Sequence, residues 1–94
     1  MPSNLGPTQT LRIDKWLWHA RFCKTRALAQ VHAEKGHIRV NGRRIEKAGA
    51  RIRPGDIVTL AFAGQPIVIR VLGLGGRRGA AIEARTLYEI IDNA

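Results

Sequence analysis

Along residues 13–24 apolar side chains return at intervals of three and four. Ile13, Trp16, Leu17, Ala20 and Cys23 share one face of a predicted helix. Asp14 falls in its first turn, where a carboxylate suits the positive end of the helix. A second helix is predicted over 25–35. Thr25 is its N-cap, Leu28, Ala29, His32 and Ala33 form its inward stripe, and Gly36 stands where a left-handed residue ends a helix. The period then drops to two: Ile38 and Val40 alternate with His37 and Arg39. Asn41-Gly42 predicts a tight hairpin, because a type I′ turn needs positive φ at both central positions. Arg43–Ile45 is the returning strand, and Arg53-Pro54-Gly55-Asp56 is a further turn. Ile57–Phe62 and Ile67–Leu72 are β-rich runs joined through Ala63–Pro66, which predicts another hairpin.

Leu74–Gly79 reads as a Gly- and Arg-rich loop. The spacing of Ala80, Ala84, Leu87 and Ile91 predicts a terminal helix over 80–91. Two short helices cannot bury their faces alone. They must pack on one side of the small antiparallel sheet, which gives an α+β domain with a C-terminal helical segment. The expected organisation is a flexible leader over 1–10, a binding domain over 11–73, and a loop and helix over 74–94 packed on that same domain. Ninety-four residues allow one modest core, since a chain of this size buries only about two-thirds of its unfolded surface.

Charge changes the picture. The net formal charge is +9, and it is unevenly placed. Residues 12–53 hold twelve basic and three acidic side chains, whereas 54–94 hold four of each. A polyanion would relieve the self-repulsion of such a field, so nucleic acid is the expected partner. Arg12, Lys15, Arg21, Lys24 and Arg26 frame the two helix ends, and Arg39, Arg43 and Arg44 flank the hairpin. Arginine suits phosphate because its planar fork offers paired donors. The single cysteine rules out an intrachain disulfide and fits a reducing cytoplasm. No signal-peptide core and no membrane-length apolar run are present in the sequence.

Other chemistry is thinner. His19 and Cys23 lie four apart on a helix, but zinc sites favour tighter Cys/His pairs, so packing is the simpler reading for Cys23 and His32, and no metal or cofactor is expected. Gly73–Gly79 lacks the Lys-Ser/Thr of a P-loop, and Arg78 stands where a dinucleotide fingerprint needs glycine. The segment is either a flexible loop carrying Arg77 and Arg78 to a phosphate backbone or plain turn chemistry. No catalytic set emerges, so the chain reads as a binding protein, not an enzyme. Trp18 and Phe22 share a second apolar stripe. They either stack on unpaired bases beside Arg21 or, the favoured reading, are covered by Leu87–Ile91.

Over Leu11–Leu60 an ordered set of residues resembles the S-four RNA-binding domain. It comprises Arg12-Ile13-Asp14, Thr25-Arg26, Ala29, Gly36, Val40-Asn41-Gly42 and Gly55-Asp56. Asp14-Lys15-Trp16-Leu17-Trp18, Arg21-Phe22, Lys24–Ala29, Arg77-Arg78 and Leu87-Tyr88-Glu89 are similar to its heat-shock protein fifteen branch. The resemblance implies an L-shaped arrangement of helices and strands with RNA on the basic helical face. The branch implies ribosomal RNA of the large subunit and a role with stalled subunits carrying nascent chain. The expected RNA-binding set is Arg12, Lys15, Arg21, Lys24, Thr25, Arg26, Gln30, Lys35, Arg39, Asn41, Arg43 and Arg44. The expected state is a cytoplasmic monomer off the membrane. Two other readings stay open: a targeting module for a separate RNA-modifying enzyme, and a protein-interaction module using Trp18 and Phe22. DNA binding is open as well, because phosphates do not distinguish the polymers.

Overall fold

A computed structural model of the chain describes residues 9–61 and 65–93. The chain enters through β1 (Leu11–Arg12) and turns directly into α1 (Ile13–His19), then α2 (Arg26–Glu34). Strands β2 (Ile38–Val40), β3 (Arg43–Ile45), β4 (Arg51–Ile52), β5 (Ile57–Leu60) and β6 (Ile67–Val71) follow. A short helix α3 (Ala81–Ala84) and one 3-10 turn (Arg85–Leu87) lead into β7 (Tyr88–Asn93). Five strands form an antiparallel sheet in the order β3-β2-β5-β6-β7, so the fold is α+β as expected. β4 leaves that sheet and pairs with β1, with Leu11 opposite Ile52 and Arg12 opposite Arg51. This small second sheet is absent from the sequence-based expectation, since two-residue strands carry no periodicity. The predicted hairpin at 63–66 lies partly outside the described residues, as does the leader up to residue 8.

The core forms where the helices meet the inner sheet face. Ile13, Trp16 and Leu17 from α1, Ala29 and Ala33 from α2, and Ile38, Ile52, Val58, Ile69 and Val71 from the strands are fully buried. The inward stripe of α2 is narrower than expected: Leu28 is 45% exposed, and the contact with α1 is made through two alanines. Small side chains there let the helices come close.

α1 stops well short of residue 24. Arg21 adopts φ +65°, a left-handed conformation that is costly for a residue with a Cβ. Its guanidinium Nε donates to the carbonyl of Gly79 at 2.8 Å, which secures the break. The break swings Phe22 into partial burial, with its ring 4.6 Å from that of Tyr88 and 6.0 Å from that of Trp16. The Asn41-Gly42 turn has positive φ at both residues, as the hairpin requires.

The C-terminal helical segment exists, but it ends before Tyr88, not at Ile91. The helical spacing of Leu87 and Ile91 is coincidental. The open edge of β6 takes up the last residues instead, with Tyr88 opposite Val71 and Ile90 opposite Ile69. Aromatic and β-branched residues suit a pleated surface. The register slips between Val68 and Ile69, whose partners are Asp92 and Ile90, so Ile91 is a bulged residue.

Candidate nucleic-acid interface

The N-terminal end of α1 is organised by a buried carboxylate. Asp14 has no solvent exposure, yet it sits among cations. Arg12 Nε and Nη2 donate to its two oxygens at 3.1 Å each. Gln30 Nε2 donates at 3.1 Å, the Lys15 backbone N–H at 2.8 Å, and Arg26 Nε at 3.4 Å. Burial alone would raise the carboxyl pKa. The hydrogen bonds from Arg12, Gln30 and Lys15, with the charge of Arg26, outweigh it and hold the pKa below the ordinary value. Asp14 thus stays ionised and ties β1, α1 and α2 together. The side chains of Arg12 and Arg26 remain 43% and 41% exposed. Each guanidinium therefore spends its Nε side on Asp14 and has surface left for another anion.

The expected contact residues divide by role. Arg12, Arg26 and Gln30 converge on Asp14, with Lys15 adjacent. Thr25 is a cap: its hydroxyl accepts the Leu28 N–H at 3.1 Å and holds the start of α2 in place beside Arg26. Lys24 and Lys35 are exposed on either side of α2. Arg39 and Arg44 face each other across β2 and β3, and Arg44 pairs with Glu46 at 3.1 Å. Arg43 lines one shallow surface cavity with Arg51, which is also the ladder partner of Arg12. Asn41 builds the hairpin: its amide donates to Asp56 and its carbonyl accepts the Ile57 N–H at 2.9 Å. Arg21 lies apart from this group, bonded to Gly79.

From the sequence alone Asp14 reads as a first-turn acid and as one residue of the family motif. The signal that could have marked it is a carboxylate between two basic residues at the start of an inward stripe. Sequence reasoning also missed the fixing of the Gly-rich loop. Trp16 Nε1 donates to Gly73 O at 2.8 Å, and His19 Nδ1 donates to Leu74 O at 3.2 Å. With the Arg21 bond to Gly79, three side chains that follow one another along α1 and its end hold the segment at both of its ends. Loop and helix are thus joined by three hydrogen bonds. Phe22 is covered by Tyr88, within the expected 87–91 segment, whereas Trp18 stays partly exposed with Arg78 beside its ring.

Cys23 is buried, and burial raises its pKa to about 11, so it packs as a small apolar group. His32 and His37 lie with Nδ1 atoms 3.1 Å apart, so one ring donates and the other accepts. Burial first, then the charges of His37 and Lys35, lower the pKa of His32. Among the described residues no cluster of three metal-binding side chains occurs. No helix there is long and apolar enough to cross a membrane.

The S4 domain family model matches residues 11–58. The Heat shock protein 15 homolog of Aeromonas salmonicida is 38% identical over 89 residues, which is 95% of this chain and 67% of that protein. The RQC P-site tRNA stabilizing factor of Bacillus subtilis (strain 168) is 36% identical over 81 residues, covering 86% of this chain and 92% of that one. A solved structure described as trimeric Heat Shock Protein 15 of Vibrio cholerae superposes with a TM-score of 0.82 at 36% identity, over 88% of this chain and 83% of that chain. The chain spans 60–67% of the length of the heat shock protein 15 relatives from three species.

Proposed function

The chain belongs to the S4 domain family, and we propose from that premise that it is a ribosome-associated RNA-binding protein, not an enzyme. Its target in this reading is structured RNA, specifically ribosomal RNA of the large subunit, in the handling of stalled ribosomes or in heat shock. The relatives' names support this reading, one naming a heat shock protein and another a factor that stabilises P-site tRNA. The observation that carries it is the buried, ionised Asp14, which presents Arg12 and Arg26 side by side with free donor surface. A carboxylate placed there adds no exposed negative charge and fixes two guanidinium planes before any ligand arrives. That arrangement lowers the ordering cost of gripping a phosphate backbone. The hairpin arginines Arg39, Arg43 and Arg44, with Lys15, Lys24 and Lys35, extend the grip along the backbone.

Phosphate contacts position a nucleic acid without reading its sequence. Arg26→Ala is therefore expected to weaken binding to unrelated structured RNAs by similar factors and to reduce the salt slope by about one. Equilibrium binding to large-subunit and small-subunit rRNA fragments, titrated against potassium chloride, measures both. Unchanged affinity in Arg26→Ala and Arg12→Ala would remove the basis of this assignment. Recovery of large-subunit rRNA in crosslinked fractions from cells tests the finer target.

A further inference from the structure

We propose that Trp18 and Arg78 form a stacking site for one unpaired base of the bound RNA, separate from the phosphate grip around Asp14. This rests on the RNA-binding reading above and adds a chemical class of ligand to it. Trp16 is sealed in the core and Phe22 packs under Tyr88, but Trp18 is left partly exposed, outside the hydrophobic core cluster. Its ring leans on His19, with centroids 5.7 Å apart, and the guanidinium carbon of Arg78 lies 5.8 Å from the ring centroid. A cation at that distance interacts with the indole face. Arg78 has no protein acid to hold it: its Nε is buried without a hydrogen-bond partner among the described residues. Arg77, by contrast, is paired with Glu83 at 3.3 Å.

The pair is fixed from both sides. Trp18 sits on α1 between Trp16 and His19, which hold Gly73 and Leu74. Arg78 immediately precedes Gly79, which Arg21 holds. The backbone that presents the guanidinium is thus tethered to the helix that presents the indole. A partly exposed tryptophan beside an arginine that no carboxylate among the described residues pairs is a combination on which unpaired bases stack, the base taking ring surface that the guanidinium leaves open and the cation bounding the site. Paired bases in an RNA helix have no free face to offer, so the site would favour loops, bulges and ends.

Two RNAs with equal phosphate counts serve as probes: a hairpin with an unpaired purine loop, and a fully paired duplex. Trp16 is shielded, so a change in tryptophan emission on binding reports Trp18. The hairpin is expected to quench emission more than the duplex does. Loss of one base–aromatic stack corresponds to a roughly five-fold or larger drop in affinity. Trp18→Leu should show that drop for the hairpin and leave duplex binding nearly unchanged, with the same salt slope. Arg78→Gln, a loop substitution outside the core, should shift hairpin affinity in the same direction, and it alone decides if Trp18→Leu does not fold. Equal effects of both variants on the two RNAs, or no effect on either, would overturn the proposal. Arg26→Ala separates the two ideas, because it should weaken hairpin and duplex alike. If it weakens neither, the phosphate grip fails on its own account, whatever Trp18 does.

Discussion

At the scale of single residues, Asp14 decides most. Its carboxylate is buried, ionised and bonded to side chains from β1 and α2 as well as its own backbone neighbour. Asp14→Asn keeps the shape but loses charge-assisted hydrogen bonds, each worth about 1.5–3 kcal/mol, so the variant should unfold at lower denaturant concentration, with stability lower by about 2 kcal/mol or more. The sign of the pH effect follows from the depressed pKa. The contribution is present in full above the ordinary value of 3.8, and it is lost as pH falls through the lower value in the fold. Urea titrations between pH 7 and pH 2 should therefore show native stability falling at the acid end, with a smaller fall for Asp14→Asn. Identical acid limbs for both proteins would contradict the role given to this carboxylate. The local sequence offers only a weak sign of this role, a carboxylate set between Arg12 and Lys15. An aspartate after Arg12 and Ile13 also fits a first-turn acid, and only the approach of Gln30 and Arg26 from another helix makes it a hub.

Among the elements, α2 was readable in the sequence because its signals are local. Thr25 caps it, Gly36 ends it with φ +77°, and Ala29 and Ala33 face inward. Thr25→Ala removes the hydroxyl that accepts the Leu28 N–H and should cost about 1 kcal/mol. Thr25→Ser should restore most of it, as chemical denaturation of the three proteins would show. Thr25 was expected to touch RNA. Thr25→Ser keeps the hydroxyl for the cap and for any RNA contact, so it should bind RNA like the parent chain. The Asn41-Gly42 hairpin was legible for the same local reason. β7 was not: Leu87 and Ile91 happen to obey helical spacing, and the deciding factor is the open edge of β6 some twenty residues away. The early stop of α1 was equally hidden, since the bond that stabilises the left-handed Arg21 reaches to Gly79.

For the whole molecule, charge segregation predicts a strong dependence on ionic strength. If about five phosphates are neutralised, log affinity should fall against log salt with a slope of roughly −3.5 to −4.5. Binding isotherms from 50 to 300 mM salt, on the order of the range where counterion release is measured, check this. A flat line would mean that the basic side chains do not carry the interaction. The same scale shows how early and late parts of the chain depend on each other. Trp16 and His19 find their hydrogen-bond acceptors 57 and 55 positions downstream, at Gly73 and Leu74. Chains grow from the N-terminus and fold as segments emerge. When α1 leaves the exit tunnel its indole and imidazole have no protein partner, and they acquire one only after the Gly-rich segment has been made. Completion of this fold therefore waits for the Gly-rich segment to be made, and a nascent chain halted before Gly73 would hold the basic residues 12–53 without the closure that seats the first helix.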